Sequence, residues 1–416
     1  MAKDSIIIGF DIGSTAIRAV VAVFSASSSR AQIIGLGEAP SGGIRKGTII
    51  DIEETIKSIR LAKDQAERAS SVKIESAYIS VGGGLISSRV SKGVVAVSRA
   101  DGEISEHDVT RVIQAASAIS LPQNREIIHV IPRWFSVDAE SGIFDPIGMQ
   151  GIRLEIDALL VDANTQLLRN IEKCMTEVGV EINGVVLDTL AASRSTLVKR
   201  QKDIGVVLLD IGGAKTGLMV FEDGNIVHTS MLPVGSTHIT NDIAIGLKMG
   251  VDVAERIKRE YGSSLPHEIG KKDMVEFAKV ARDEVGVFSR REVAEIIEAR
   301  VRELLGLANK ELKAIHHEAL LPGGVVMVGG GAKIPGIVDV AKEELKIPAQ
   351  IGFPVETDGV VEAIDDPSYA CGIGLVLWGR DLEERKKMGS ISFFSPRKTG
   401  ANTASRLKRF FKAFVP

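Results

Sequence analysis

The feature that most constrains this chain occurs twice: an apolar strand that ends in aspartate, a turn of small residues, and a second apolar strand. Ile6-Ile7-Ile8-Gly9-Phe10 leads into Asp11-Ile12-Gly13-Ser14-Thr15-Ala16 and on through residues 17–24. Val206-Val207-Leu208-Leu209 leads into Asp210-Ile211-Gly212-Gly213-Ala214-Lys215-Thr216-Gly217 and on through residues 218–221. Each copy predicts a tight hairpin inside a buried sheet. Such turns suit a phosphate: glycine lets the backbone approach closely and take positive φ, successive N–H groups form an anion nest, and the hydroxyls of Ser14, Thr15 and Thr216 add donors. Asp11 and Asp210, at the strand ends, can order Mg²⁺ through water, because Mg²⁺ takes one or two carboxylates plus phosphate oxygens. A single Asp-x-Gly turn is ordinary turn chemistry, whereas two at the ends of buried strands form a pattern. A third element completes it. Val325-Val326-Met327-Val328 runs into Gly329-Gly330-Gly331-Ala332-Lys333-Ile334-Pro335-Gly336, which reads as a strand, a glycine turn passing close to something flat, and a helix start with Pro in its first turn.

This ordered trio resembles the actin, sugar-kinase and heat-shock chaperone ATPase superfamily. The resemblance implies an α/β fold of two duplicated halves around a nucleotide cleft, with ATP between the first two loops and the third loop, Gly329 to Gly331 with Lys333, beside the adenosine. It also implies nucleoside contacts from Glu255 and Lys258 in Ala254-Glu255-Arg256-Ile257-Lys258. Taken alone, that pair is an ordinary i,i+3 ion pair on one helix face. Asp188 is the carboxylate nearest to where kinases of the superfamily keep a base. It is the candidate for orienting water, and helix capping is its other reading.

Bulk properties narrow the classes. At 416 residues, 44% apolar and 25% charged, the chain has length for two to four domains, and its 4% aromatics give no stacking platform for nucleic acid. Cys174 and Cys371 lack metal-ligand spacing and predict buried, reduced thiols. Asp11 breaks the first apolar run, which argues against a signal peptide, and no stretch reaches ~18 apolar residues. His129 and His228 each sit alone in a strand pattern and predict structural roles.

The order of segments narrows the resemblance to one family. Residues 84–162 carry Asp101-Gly102-Glu103-Ile104-Ser105, a helix from Glu106, a strand over 127–135, and Gly142-Ile143-Phe144-Asp145-Pro146-Ile147-Gly148-Met149-Gln150-Gly151-Ile152-Arg153-Leu154-Glu155. This block is similar to the inserted subdomain of the cell-division actin homologues of the FtsA family, and Gly235-Ser236-Thr237-His238-Ile239-Thr240-Asn241-Asp242-Ile243-Ala244 also resembles that family. The division expected is 1–83, 163–203 and 367–387 for the first core subdomain, 84–162 for the insert, 204–236 and 317–366 for the second core subdomain, and 237–316 for a small subdomain. The family implies ATP and Mg²⁺ as cofactors, self-assembly into filaments, and contacts of the insert with neighbouring subunits and other division proteins. It also implies that the small subdomain receives the acidic C-terminal peptide of the tubulin-like FtsZ, with Arg300 as candidate contact. Ala16 stands where relatives often have Lys, Leu159-Leu160 where a His is common, and Ala214 and Gly217 where Gly and Asp are frequent. The enzymatic expectation is therefore at most slow ATP hydrolysis.

The C-terminus carries its own signal. From Arg385 to the end there are nine Lys/Arg and no Asp or Glu, which leaves −12 on the rest of a chain whose net charge is −3. Residues 388–403 read as a Ser/Gly/Pro/Thr linker with a reach of about 20–24 Å. In residues 404–416, Leu407, Phe410, Phe411, Phe414 and Val415 fall on one helical arc, with Arg406, Lys408, Arg409 and Lys412 flanking or opposite. That pattern predicts an interfacial helix on anionic lipid rather than a nucleic-acid contact, and the family resemblance implies a peripheral protein on the cytoplasmic face of the inner membrane at midcell. Two alternatives stay open: a type IV pilus assembly scaffold of the same fold, and a small-molecule kinase of the superfamily.

Overall fold

The computed structural model describes residues 4–25, 30–281, 285–317, 320–359 and 365–387. The linker and amphipathic segment expected beyond residue 387 lie outside these residues.

Both hairpins form as expected, and each nucleates a sheet. In the first, Ser5–Ile12 pairs antiparallel with Ala16–Phe24 and closes with Ile12 opposite Ile17. In the second, Val206–Ile211 pairs with Thr216–Glu222 and closes with Ile211 opposite Thr216. Ala31–Pro40 extends the first hairpin antiparallel, while Ser76–Val81 and Glu181–Leu187 add parallel strands on the other side. The second sheet repeats the plan, with Asn225–Leu232 antiparallel on one flank and Val325–Val328 and Ala349–Ile351 parallel on the other. Parallel neighbours require crossovers, which is why each half alternates its later strands with helices.

Period-two alternation sorts the second sheet between two cores. Leu208, Met219, Val326 and Val328 join the apolar cluster shared with the first half, whereas Val207, Leu209, Leu218 and Val220 face a second cluster that includes Ile239, Ile257 and Val293. The long helix Arg290–Ala314 packs into the latter cluster. Ser289 caps it by accepting from Glu292 N at 3.3 Å, and Val293, Ile297, Val301, Leu304 and Leu305 are buried; Ile296, from the same stripe, is half-buried.

In the first half, Asp51 caps Ile52–Ser70 by accepting from Glu54 N at 3.1 Å. Two further helices, Asp188–Thr196 and Ala370–Lys387, meet backbone to backbone: a Cβ on Gly374 would lie 1.8 Å from Ala191 O. The small residues of 369–374 are thus the condition for this contact.

Between Ser76–Val81 and Thr165–Glu177, the chain builds a separate antiparallel sheet in the order Ile86–Ala96, Arg153–Asn164, Arg125–Val137, Glu140–Ile143, with helix Glu106–Ser117 packed on it. Fully buried Asp162 is held there by Arg125 and by Arg89 at 2.9 Å. One expectation needs correction. Pro335 does not lie in a first helical turn: residues 330–333 form a 3₁₀ turn, Gly336 takes φ +80°, and the helix starts at Ile337. Gly336 packs with its Cα against Leu265, and a Cβ there would meet Leu265 Cγ at 2.4 Å, so the chain turns before it can coil.

Candidate nucleotide site

The turns of the two hairpins face each other across the cleft between the halves. A Cβ on Gly213 would lie 2.4 Å from Thr15 Cγ2, so the loops touch. The cavity beside this contact is lined by Asp11, Gly13, Ser14 and Thr15, by Asp210, Gly212, Gly213 and Lys215, and by Gly329 and Gly330. Three stretches, each more than a hundred residues from the next, therefore supply one site.

The glycines act mostly by leaving room. Gly13 N donates to Ala16 O at 3.1 Å and a Cβ would lie 2.7 Å from that oxygen; Gly212 N donates to Lys215 O at 3.0 Å. Positive φ, expected for both turns, occurs instead in the third loop, at Gly329 (φ +83°), where a Cβ would also meet Asp210 Oδ1 at 2.5 Å. The second loop is braced from behind. Ser236 N donates to Gly212 O at 2.9 Å and Thr237 N to Gly213 O at 2.8 Å, from the first turn of helix Ser236–Leu247.

Three carboxylates converge on the cavity. Asp11 Oδ1 accepts from Ser80 Oγ at 2.8 Å, and that hydroxyl in turn accepts from Ile12 N. Asp188 opens its helix, accepts from Thr189 N at 2.7 Å and forms an ion pair with Lys215. Leu187, just before it, is anchored by donating its N–H to His129 Nε2 at 2.9 Å, and burial pulls the His129 pKa down to about 3, keeping the ring neutral. His129 is thus structural, as expected. Burial, and then the charges of Asp188 and Asp11, push Asp210 up to about 7. A cation near this aspartate would relieve that repulsion.

Several expected residues lie elsewhere. Thr216 does not reach the cavity: it is fully buried, and its hydroxyl donates to Val234 O at 2.8 Å, bracing the loop from behind. Glu255 and Lys258 pair with each other at 2.6 Å, and Lys258 also donates to Thr240 Oγ1 at 2.8 Å and Ser236 O at 3.3 Å. They hold the Ser236 helix from outside the cavity lining. Lys333 pairs with Asp366 at 2.6 Å, and Gly331 backs onto Ile211. Arg300 is engaged bidentately by Asp242 at 2.6 and 2.9 Å and by Glu303 at 2.5 Å.

Arg18, Gly47, Ser80 and Ser368 also line the cavity without having been site candidates; so do Ser236, from the stretch 235–244, and Gly82, whose glycine run reads in the sequence as a domain exit rather than a phosphate loop. Arg18 and Ser80 each interrupt an apolar strand, a signal that was present in the sequence. Arg18 bonds Glu38 at 3.0 Å and its guanidinium lies 5.3 Å from the Tyr369 ring centre. Gly47 N donates to Ser14 Oγ at 3.0 Å. Among the described residues no three His, Cys, Asp or Glu gather closely enough to hold a metal, and no helix is long and apolar enough to cross a membrane.

Solved structures share this architecture. The PilM-PilN type IV pilus biogenesis complex matches with TM-score 0.64 at 15% identity, over 90% of this chain and 98% of that one. MreB5 of Spiroplasma citri bound to AMPPNP matches with TM-score 0.55 at 12% identity, over 94% and 99%. Duplicated sheets, crossover helices and facing loops together define an actin-like fold.

Sequence comparisons go further. The family described as "Cell division protein FtsA" matches residues 207–374, and the "SHS2 domain inserted in FTSA" matches residues 83–162. Cell division protein FtsA of Pseudomonas aeruginosa is 33% identical over 97% of both chains, and that of Bacillus subtilis 37% identical over 90% of this chain and 84% of its own. The chain belongs to the FtsA family of cell division proteins. The pilus likeness, at 15% identity, is one of fold alone.

Proposed function

We propose that this protein binds ATP with Mg²⁺ in the cleft, polymerises on the cytoplasmic face of the cell membrane at midcell, and tethers FtsZ there while recruiting later division proteins. The observation that carries the reading is the cavity between the two hairpin turns, with space made by glycine and carboxylates at both strand ends. Asp11 and Asp210 would reach Mg²⁺ through water, and the ion would supply charge neutralisation for the phosphates. The loop N–H groups and the Ser14 and Thr15 hydroxyls would hold the phosphates. The glycines of the third loop would flank the nucleoside, and Lys333, Glu255 and Lys258 would contact it only by leaving their present partners. Asp188 is the group to orient a water for slow hydrolysis.

The reading divides the chain into the two core subdomains, the insert 84–162 as the surface for neighbouring subunits and division proteins, and the small subdomain 237–316 as the receiver of the FtsZ C-terminal peptide. Arg300 can serve that peptide only by exchanging Asp242 and Glu303 for the peptide's acids. The basic amphipathic C-terminus is the lipid contact. One such helix binds weakly, and an array multiplies the effect through effective concentration, so assembly and membrane residence reinforce each other.

The test is co-sedimentation with anionic liposomes in Mg²⁺ and ATP, comparing the full chain with one ending at Gly400. The expected result is binding lost on truncation, with coated liposomes for the full chain; equal behaviour of the two would refute the membrane role.

A further inference from the structure

The ion pair between Lys215 and Asp188 crosses the cleft. Lys215 sits in the turn of the second sheet's hairpin, whereas Asp188 follows the edge strand of the first sheet. Both side chains are mostly buried, at 19% and 8% exposure, yet both line the cavity. Gly82, from the first half, closes over them, and a Cβ there would collide with Lys215 Nζ at 1.8 Å and Asp188 Oδ2 at 1.9 Å. The pair is therefore packed between the halves rather than lying loosely on a surface.

The charges around it make this pair consequential. The cavity lining contains three aspartates, Asp11, Asp188 and Asp210, and two cations, Arg18 and Lys215. Arg18 is held by Glu38 and lies against Tyr369. The first loop itself ends in Ala16 and brings no cation. Lys215 is thus the lining cation whose partner also faces the cavity, and a terminal phosphate between the loops competes with Asp188 for its ammonium.

Resting on the nucleotide reading above, we propose that Lys215 and Asp188 form a latch between the halves that the terminal phosphate of a nucleoside triphosphate opens, so that Lys215 sets the preference for triphosphate over diphosphate. When the ammonium turns to the phosphate, the Asp188 carboxylate is released toward the cavity, where it can orient water. Holding a third phosphate and freeing the water-orienting group become one event. A diphosphate leaves the latch closed.

The experiment is calorimetric titration of the full chain with ATP and with ADP, each with Mg²⁺, for wild type, Lys215→Met and Asp188→Asn, alongside thermal melting without nucleotide. A hydrogen bond to a charged group is worth roughly tenfold or more in affinity. The expected result is a wild type that prefers ATP, a Lys215→Met variant about tenfold weaker for ATP and unchanged for ADP, and an Asp188→Asn variant that binds ATP more tightly. Such a gain cannot arise from misfolding. Equal loss of both nucleotides in Lys215→Met, no change in either, or unchanged ATP affinity in Asp188→Asn would overturn the latch while leaving nucleotide binding intact. A wild type that binds neither nucleotide would overturn both proposals.

Discussion

Gly374→Ala puts a single methyl group between two helix backbones, and the consequence can be worked from the contact. The new Cβ would lie 1.8 Å from Ala191 O, where ordinary contact begins at 3.4 Å, so the helices must separate by about 1.5 Å. Neither can retreat freely. Ala370–Lys387 is pressed on Ser5–Ile12, where a Cβ on Gly9 would already meet Leu375 Cβ at 2.7 Å, and the neighbouring residues of Asp188–Thr196 are buried almost throughout. Overpacking costs about 1–3 kcal/mol, and the upper end applies because backbone rather than a side-chain tip must yield. Asp188 is the first residue of the displaced helix, so the cleft should suffer as well, with ATP binding about tenfold weaker. Urea denaturation and ATP titration read the two effects. Gly250→Ala, with nothing within 4 Å of its Cβ, is the control. If Gly374→Ala denatures at the same urea concentration as that control and binds ATP equally well, the packing argument is wrong.

Other predictions follow from individual groups. Asp162→Ala strands Arg125 in a pocket where it is only 16% exposed, so a loss of about 3 kcal/mol is expected in urea denaturation, with a smaller loss for Arg89→Ala at 39% exposure. Asp210, pushed up to about 7, favours its protonated form in the folded chain, so its stabilising contribution is full below about pH 4 and is lost as pH rises through about 7. Without Mg²⁺ or nucleotide, the urea midpoint of the wild type should fall between about pH 4 and 7 relative to Asp210→Asn and level off above that range; parallel profiles would remove Asp210 as the cause. Phe410→Asp with Phe414→Asp should abolish liposome binding with ATP affinity unchanged, and persistent lipid binding would contradict the interfacial helix.

Legibility from sequence followed locality. The hairpins, the Asp51 cap and the buried stripe of Arg290–Ala314 rest on interactions within a few residues, and the hairpins appear where the sequence pattern placed them. Glycine was recognised correctly as the marker of the loops but for a mixed reason: at Gly13 and Gly213 the demand is space, visible only once Ala16 O and Thr15 are in place. Side-chain direction was less accessible. Thr216 belongs to the loop motif, yet its hydroxyl is spent on Val234 O; Glu255 and Lys258 have the expected spacing, yet bond one another and Thr240. The Lys215–Asp188 pair joins residues from different halves of the fold, which no local period reveals.

The most direct test of the central claim, that the facing hairpin turns hold a nucleotide, is calorimetric titration of ATP with Mg²⁺ into the full chain and into Gly213→Val. Valine there would occupy the gap in which Thr15 Cγ2 already lies 2.4 Å from a Cβ position, closing the cavity from its floor. Saturable 1:1 binding by the wild type and none by the variant is expected, with both chains folded by circular dichroism. Absence of ATP binding by the wild type, or equal affinity in Gly213→Val, would contradict that claim.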